Sequence, residues 1–126
     1  MSADIWLEID GEQITVSNDL DDAVRDLIPM RSAAEVSATT FNLTYNLSPM
    51  LTAAGMPRWS VMIGQSATAA GEIWHRVHDT LVEFPERFRA MNPPNGWGTY
   101  EDAVTVIGSL ARACDQYPDA RVGGWL

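Results

Sequence analysis

A chain of 126 residues is long enough to bury a core of its own, and we expect one domain spanning residues 1–126. Eight arginines, no lysine and seventeen acidic residues give a net charge of −9, which disfavours direct binding to nucleic acids or anionic membranes. The absence of lysine excludes a P-loop, a Schiff base and a lysine general base. The single cysteine, Cys114, excludes an internal disulfide, and neither a secretory signal nor a long apolar span is evident, which predicts a cytoplasmic protein.

The N-terminal segment alternates between apolar residues and others, as a strand does. The alternating members are Ile5, Leu7 and Ile9 and, further along, Ile14 and Val16. Asp10 and Gly11 between them form a favoured two-residue turn, so the segment predicts a β-hairpin. Asn18 is then expected to cap a short helix that ends at Pro29.

The centre of the chain predicts a further strand and a short helix. From Val36 to Asn46 the content of β-branched and aromatic residues rises, which indicates a strand paired with the hairpin. We expect the hydroxyl of Ser48 to cap a short helix with Pro49 in its first turn, and Gly55 to end that helix.

Two longer helices follow, and a last strand closes the chain. The first is predicted from about Ser66 to Glu83, with one more turn between Glu86 and Met91. The second runs from Thr99 to Tyr117, where Thr99 and Asp102 have the spacing of a capping box. Ala120 to Leu126 predicts the closing strand. The fold class is therefore α+β, with an antiparallel sheet of three to four strands covered on one face by the two longer helices.

The segment from Asn92 to Asp102 has the composition of a shaped loop. Pro93 and Pro94 fix φ, whereas Asn95-Gly96 and Gly98 suit positive φ. Such a loop either closes a core or presents a surface.

A neutral, hydrogen-bonding and aromatic set of residues gives the leading candidate for a binding site. Its members are Asn42, Thr44, Tyr45, Asn46, Asn92, Asn95, Trp97 and Tyr100. These groups suit nucleobases, sugars or a peptide backbone, although packing alone also explains them. If Trp97 is a contact residue, it should be largely accessible to solvent.

The reactive groups give weaker candidates. Cys114 lies within the apolar stripe of the last helix, which predicts an inert core thiol. Glu72 and His75 form one Glu-x-x-His half-motif near His78 and Asp79, and a solvated helix face explains them better than a metal site. An acidic cluster of Asp19, Asp21, Asp22 and Asp26 allows mimicry of DNA phosphates, although helix capping explains most of it.

Two strings, Asn42-Leu-Thr-Tyr-Asn-Leu-Ser-Pro-Met50 and Asn92-Pro-Pro-Asn-Gly-Trp-Gly-Thr-Tyr-Glu101, resemble a family of small uncharacterised proteins of bacteriophages and actinobacteria. The similarity covers the chain from about Phe41 onward. It implies a phage or prophage accessory protein directed at the host or its defences, and it carries over no functional residue.

We therefore expect a non-catalytic binding protein without a cofactor. Its partner would be a host protein or a nucleotide-like small molecule, with Arg58, Arg87 or Arg89 offsetting any ligand phosphates. The alternatives are a small metal-dependent hydrolase that uses Glu72, His75 and His78, or an acidic DNA mimic. Self-association stays open.

Overall fold

The computed structural model describes residues 2–14 and 40–126. Within these ranges, four strands form an antiparallel sheet: β1 (Ser2–Ile9), β2 (Glu12–Gln13), β3 (Phe41–Thr44) and β4 (Arg121–Trp125). β1 is the central strand. It pairs with β3 through its first half and with β2 at its end, and it pairs with β4 along its other edge.

The predicted hairpin is confirmed over the residues that the structure describes. Asp10 and Gly11 form its turn with φ of 54° and 80°, and Glu8 lies opposite Gln13. Positive φ at both central residues matches the twist of the strands. Val16, the helix expected between Asn18 and Pro29, and the acidic cluster all lie outside the described residues.

Five α-helices follow among residues 40–126. They are α1 (Ser48–Ala53), α2 (Trp59–Met62), α3 (Ala67–Glu83), α4 (Pro85–Arg89) and α5 (Tyr100–Gln116). Both long helices begin where the sequence predicts, and the capping box predicted for the second is confirmed. The Ser66 side chain accepts a hydrogen bond from the amide of Ala69, and Thr99 forms both bonds of a capping box with Asp102.

Two local predictions need correction. The strand that was expected to reach Asn46 ends at Thr44, because the Thr44 hydroxyl accepts a hydrogen bond from the amide of Asn46 and starts a 3-10 turn over Tyr45–Leu47. That turn runs directly into α1, since the amide of Ser48 donates to the carbonyl of Tyr45. Leu47 therefore occupies the cap position of α1, and the Ser48 hydroxyl caps nothing.

One face of the sheet and the two long helices enclose the core. Ala3, Ile5 and Leu7 of β1 are buried, whereas the alternate side chains of the strand are partly exposed. α3 and α5 pack closely, because Gly71 offers no side chain where Cys114 approaches. The buried side chains form a single cluster. The predicted α+β fold is thus confirmed.

In the described part of the chain, no helix is both long and apolar enough to cross a membrane.

Candidate functional site

The segment between α4 and α5 forms a closed loop from Asn92 to Tyr100. The side-chain carbonyl of Asn92 accepts a 2.7 Å hydrogen bond from the amide of Tyr100, which joins the two ends of the loop. At the tip, the side chain of Asn95 accepts a 3.0 Å bond from the amide of Trp97. Gly96 and Gly98 take φ of 74° and 94°. The loop is therefore held by its own hydrogen bonds and by residues suited to its backbone.

This loop packs on the end of β3. A Cβ atom at Gly98 would lie 2.6 Å from Cγ2 of Thr44 and 3.0 Å from Cγ of Leu47, so the contact requires a glycine. The fold thereby places the two motif strings against each other, although they are separated by more than forty residues of sequence. The sequence alone does not reveal that contact.

The loop turns its two aromatic residues in opposite directions. Trp97 is 69% exposed, in agreement with the prediction that it should be accessible. Tyr100 is 5% exposed, and its hydroxyl donates to the carbonyl of Leu81 at 2.7 Å. The guanidinium of Arg89 lies 4.9 Å from the centre of the Tyr100 ring and covers it. Tyr100 therefore anchors the loop to the core and offers no ring to a partner.

The four asparagines of the predicted site are oriented by the protein. The amide nitrogen of Asn42 donates to Oδ1 of Asp4 at 2.6 Å and to the hydroxyl of Ser2 at 3.0 Å, across the outer face of the sheet. Asn46 donates to Thr44. Asn92 and Asn95 use their carbonyls to hold the loop. Each of the four side-chain amides thus uses one of its two polar groups in a hydrogen bond within the protein.

Tyr45 lies apart from the loop surface. It is half-buried and lines a cleft of about 260 Å³ together with Arg58 and residues of α1 and α2. The eight predicted residues are consequently divided between the loop with the adjoining end of β3, the outer sheet face, this cleft and the core.

The residues of the alternative metal-dependent hydrolase, Glu72, His75 and His78, do not meet at one site. Glu72 and His75 line an open groove of about 590 Å³ between α3 and α5. Nε2 of His75 lies 2.7 Å from Oδ2 of Asp115, a residue that the sequence analysis did not single out. His78 packs instead against Gly108, where a Cβ would lie 2.9 Å from its ring. Within residues 2–14 and 40–126, no three His, Cys, Asp or Glu side chains meet closely enough to hold a metal ion.

Cys114 lines the inner side of this groove but is only 2% exposed. Burial raises the pKa of its thiol to about 12, with a further contribution from the charge of Asp115. A thiol in this state is a poor nucleophile near neutral pH. The predicted burial of Cys114 in the core is confirmed, and its low reactivity stays a prediction.

Trp125 is a second exposed tryptophan, and the sequence predicted no role for it. It lies opposite Asp4 on the outer face of the sheet and is 73% exposed. Its accessibility matches that of Trp97, but it ends a strand, whereas Trp97 projects from a loop held at its base and tip. The two residues therefore form a matched pair for experiments.

Compared with family models, with curated proteins and with solved structures, the chain shows no significant match. The resemblance to phage and actinobacterial proteins stays a prediction.

Proposed function

We propose that this protein is a non-catalytic binding domain that docks on a partner protein through the loop from Asn92 to Tyr100, with Trp97 as its central contact. The observation that carries the proposal is the 69% exposure of an indole on a loop fixed by its own hydrogen bonds. Tryptophan on ordered backbone brings a large contact area with little conformational entropy to lose.

The form of the surface favours a protein over a small molecule at this position. Small-molecule sites are concave and enclose most of their ligand. Trp97 instead projects outward, and neither the 260 Å³ cleft nor the 590 Å³ groove is lined by a residue of the loop. A protein surface with a pocket for the indole is the complementary shape.

The charge around the loop indicates the character of that partner. Glu101 follows the loop directly and pairs with Arg89, which also lies 3.4 Å from the largely exposed carboxylate of Glu86. A backbone hydrogen bond and the nearby guanidinium of Arg89 lower the pKa of the Glu101 carboxyl. With a net charge of −9, the domain would be attracted to a partner with a basic rim.

The resemblance to phage and actinobacterial proteins supplies the setting for this proposal. In that setting, the protein is a phage or prophage accessory protein that acts in the host cytoplasm, and its partner is a host protein concerned with defence or with another host process.

The test compares Trp97→Ala with Trp125→Ala, which removes an equally exposed indole elsewhere. Wild type and both variants are used to capture partners from an actinobacterial lysate. The affinity of each for the protein that wild type captures is then measured with purified proteins. We expect Trp97→Ala to weaken binding by about thirtyfold or more, as hot-spot truncations do, while Trp125→Ala binds like wild type. Trp97→Ala should cost less than about 1.5 kcal/mol in stability, since little apolar area is buried there.

Equal affinity of the wild type and Trp97→Ala for the captured protein would refute the docking surface. Unfolding of Trp97→Ala would show instead that the loop serves only to close the core.

A further inference from the structure

A cleft outside the loop surface combines an apolar floor with a polar rim. It lies between the 3-10 turn Tyr45–Leu47, α1 and α2, and has a volume of about 260 Å³. Leu51, Met56 and Trp59 contribute to its lining, and all three are less than 10% exposed. The ring centre of Trp59 lies 6.5 Å from that of Trp74 in the core. The floor is therefore continuous with the core and is preformed.

The rim carries four hydroxyl groups and one guanidinium. The hydroxyls belong to Tyr45, Ser48, Thr52 and Ser60, and the guanidinium to Arg58. Within the described ranges of the chain, none of these five side chains makes a hydrogen bond or an ion pair. All five are free to bind a group that enters the cleft.

Arg58 differs in this respect from Arg89. Arg89 lies between the carboxylates of Glu86 and Glu101, whereas Arg58 has no carboxylate beside it among residues 2–14 and 40–126. Among the arginines in residues 2–14 and 40–126, Arg89 alone forms an ion pair, and Arg58 differs from the other unpaired arginines by its place on the rim of this cleft. Guanidinium binds carboxylate and phosphate with paired hydrogen bonds, so the charge of Arg58 suits an anion from outside the chain.

The volume of the cleft limits the size of that anion. Sites for drug-sized ligands measure about 300 to 1,000 Å³, and this cleft lies just below that range. It has room for one ring and a charged substituent. An indole and two aliphatic side chains at the floor suit the face of that ring.

We propose that this cleft binds a small organic anion built on a single ring, with the ring against Trp59 and its carboxylate or phosphate at Arg58. The hydroxyls of Ser48, Thr52 and Ser60 supply further hydrogen bonds to the polar end of the ligand. This site is independent of the Trp97 surface, and either proposal can fail without the other.

The experiment titrates 15N-labelled protein with benzoate, phenyl phosphate and the uncharged analogue benzamide, and follows the indole N–H signal of Trp59 by NMR. Trp59→Phe assigns that signal. Benzoate or phenyl phosphate should shift it saturably at millimolar concentrations, and the tighter of the two identifies the anionic group. Benzamide should bind about tenfold more weakly, because it lacks the charge-assisted bonds to Arg58.

Two variants with the same loss of charge complete the test. Arg58→Gln should weaken the better probe by about tenfold, whereas Arg112→Gln, which removes an exposed arginine of α5, should leave binding unchanged. Arg58 is itself exposed, so its replacement should not unfold the chain. The proposal is overturned if neither anion shifts Trp59 saturably, if benzamide binds as tightly as the anions, or if both arginine variants bind equally.

Discussion

Two regions each depend on a glycine at a close contact: the interface between α3 and α5, and the loop from Asn92 to Tyr100. They differ in that the nearby tryptophan is buried in the first and exposed in the second. Gly71 admits Cys114 at the helix interface, and the neighbouring Trp74 is fully buried. Gly98 admits Thr44 and Leu47 at the base of the loop, and the neighbouring Trp97 is 69% exposed. Close packing therefore produces a core in one region and a fixed surface in the other.

The difference separates stability from recognition. Burying an aromatic side chain removes apolar area from water and contributes several kcal/mol to folding. An exposed indole contributes little of this, and the loop that holds it uses two asparagine side chains to satisfy its own backbone. We therefore expect the helix interface to contribute most of the stability of the domain, and the loop to make the contacts with a partner.

The largest expected effect is the protection of Cys114 at the helix interface. With a pKa of about 12 instead of 9.0, the thiol holds about a thousandfold less thiolate at pH 8, and burial also blocks access to it. Labelling by a maleimide should be at least about a thousandfold slower in native protein than in denaturant. Rapid labelling of native protein would show that the two helices are not packed as described.

The same thiol gives a pH dependence. The unfolded chain loses this proton above about pH 9, whereas the folded chain keeps it up to about pH 12. The contribution of the thiol to stability is therefore full below pH 9 and is lost as the pH rises toward 12. Denaturant titrations of wild type and Cys114→Ala across pH 8 to 10.5 should converge in stability as the pH increases.

The second-largest expected effect is the loss of stability when Trp74 is truncated. Trp74→Ala should destabilise the protein by about 3 to 5 kcal/mol, the range for truncated core aromatics. Trp74→Phe should cost less, because it keeps a ring in the core and removes a buried indole N–H that has no partner in the described structure. Chemical denaturation measures both, with Trp97→Ala as the exposed control. Similar losses for Trp74→Ala and Trp97→Ala would abolish the contrast between the two regions.

Sequence patterns predicted the helices well because their signals are local. The caps at Ser66 and Thr99 and the apolar stripes depend only on residues within a few turns, and both helices begin where they were expected. The strand to Asn46 was predicted too long, since a single hydroxyl, that of Thr44, competes with the sheet for the backbone.

How the candidate residues are arranged in space depends on tertiary packing, which the sequence alone does not show. Tyr100 belonged to the predicted binding set, yet it is also the first residue of the last helix, and only the packed helix shows that its ring faces inward. The pairing of His75 with Asp115 depends on how α3 and α5 are rotated against each other. The cleft at Arg58 depends on the side-chain volumes of two short helices, for which periodicity gives no signal.

The smallest effect tests the boundary between the two regions, where Thr99 ends the loop and begins α5. Its hydroxyl accepts a 3.2 Å hydrogen bond from the amide of Asp102, and Oδ2 of Asp102 accepts a 3.0 Å bond from the amide of Thr99. Thr99→Ala removes the first bond and should cost about 0.5 to 2 kcal/mol, whereas Thr99→Ser keeps a hydroxyl and should cost less. If the helix interface carries the stability, the midpoint of a thermal melt should fall by a few degrees without loss of a single transition. A melt of Thr99→Ala that matches wild type would remove the cap, and early loss of the loop signal ahead of the core would show that the loop unfolds independently and is not fixed by α5.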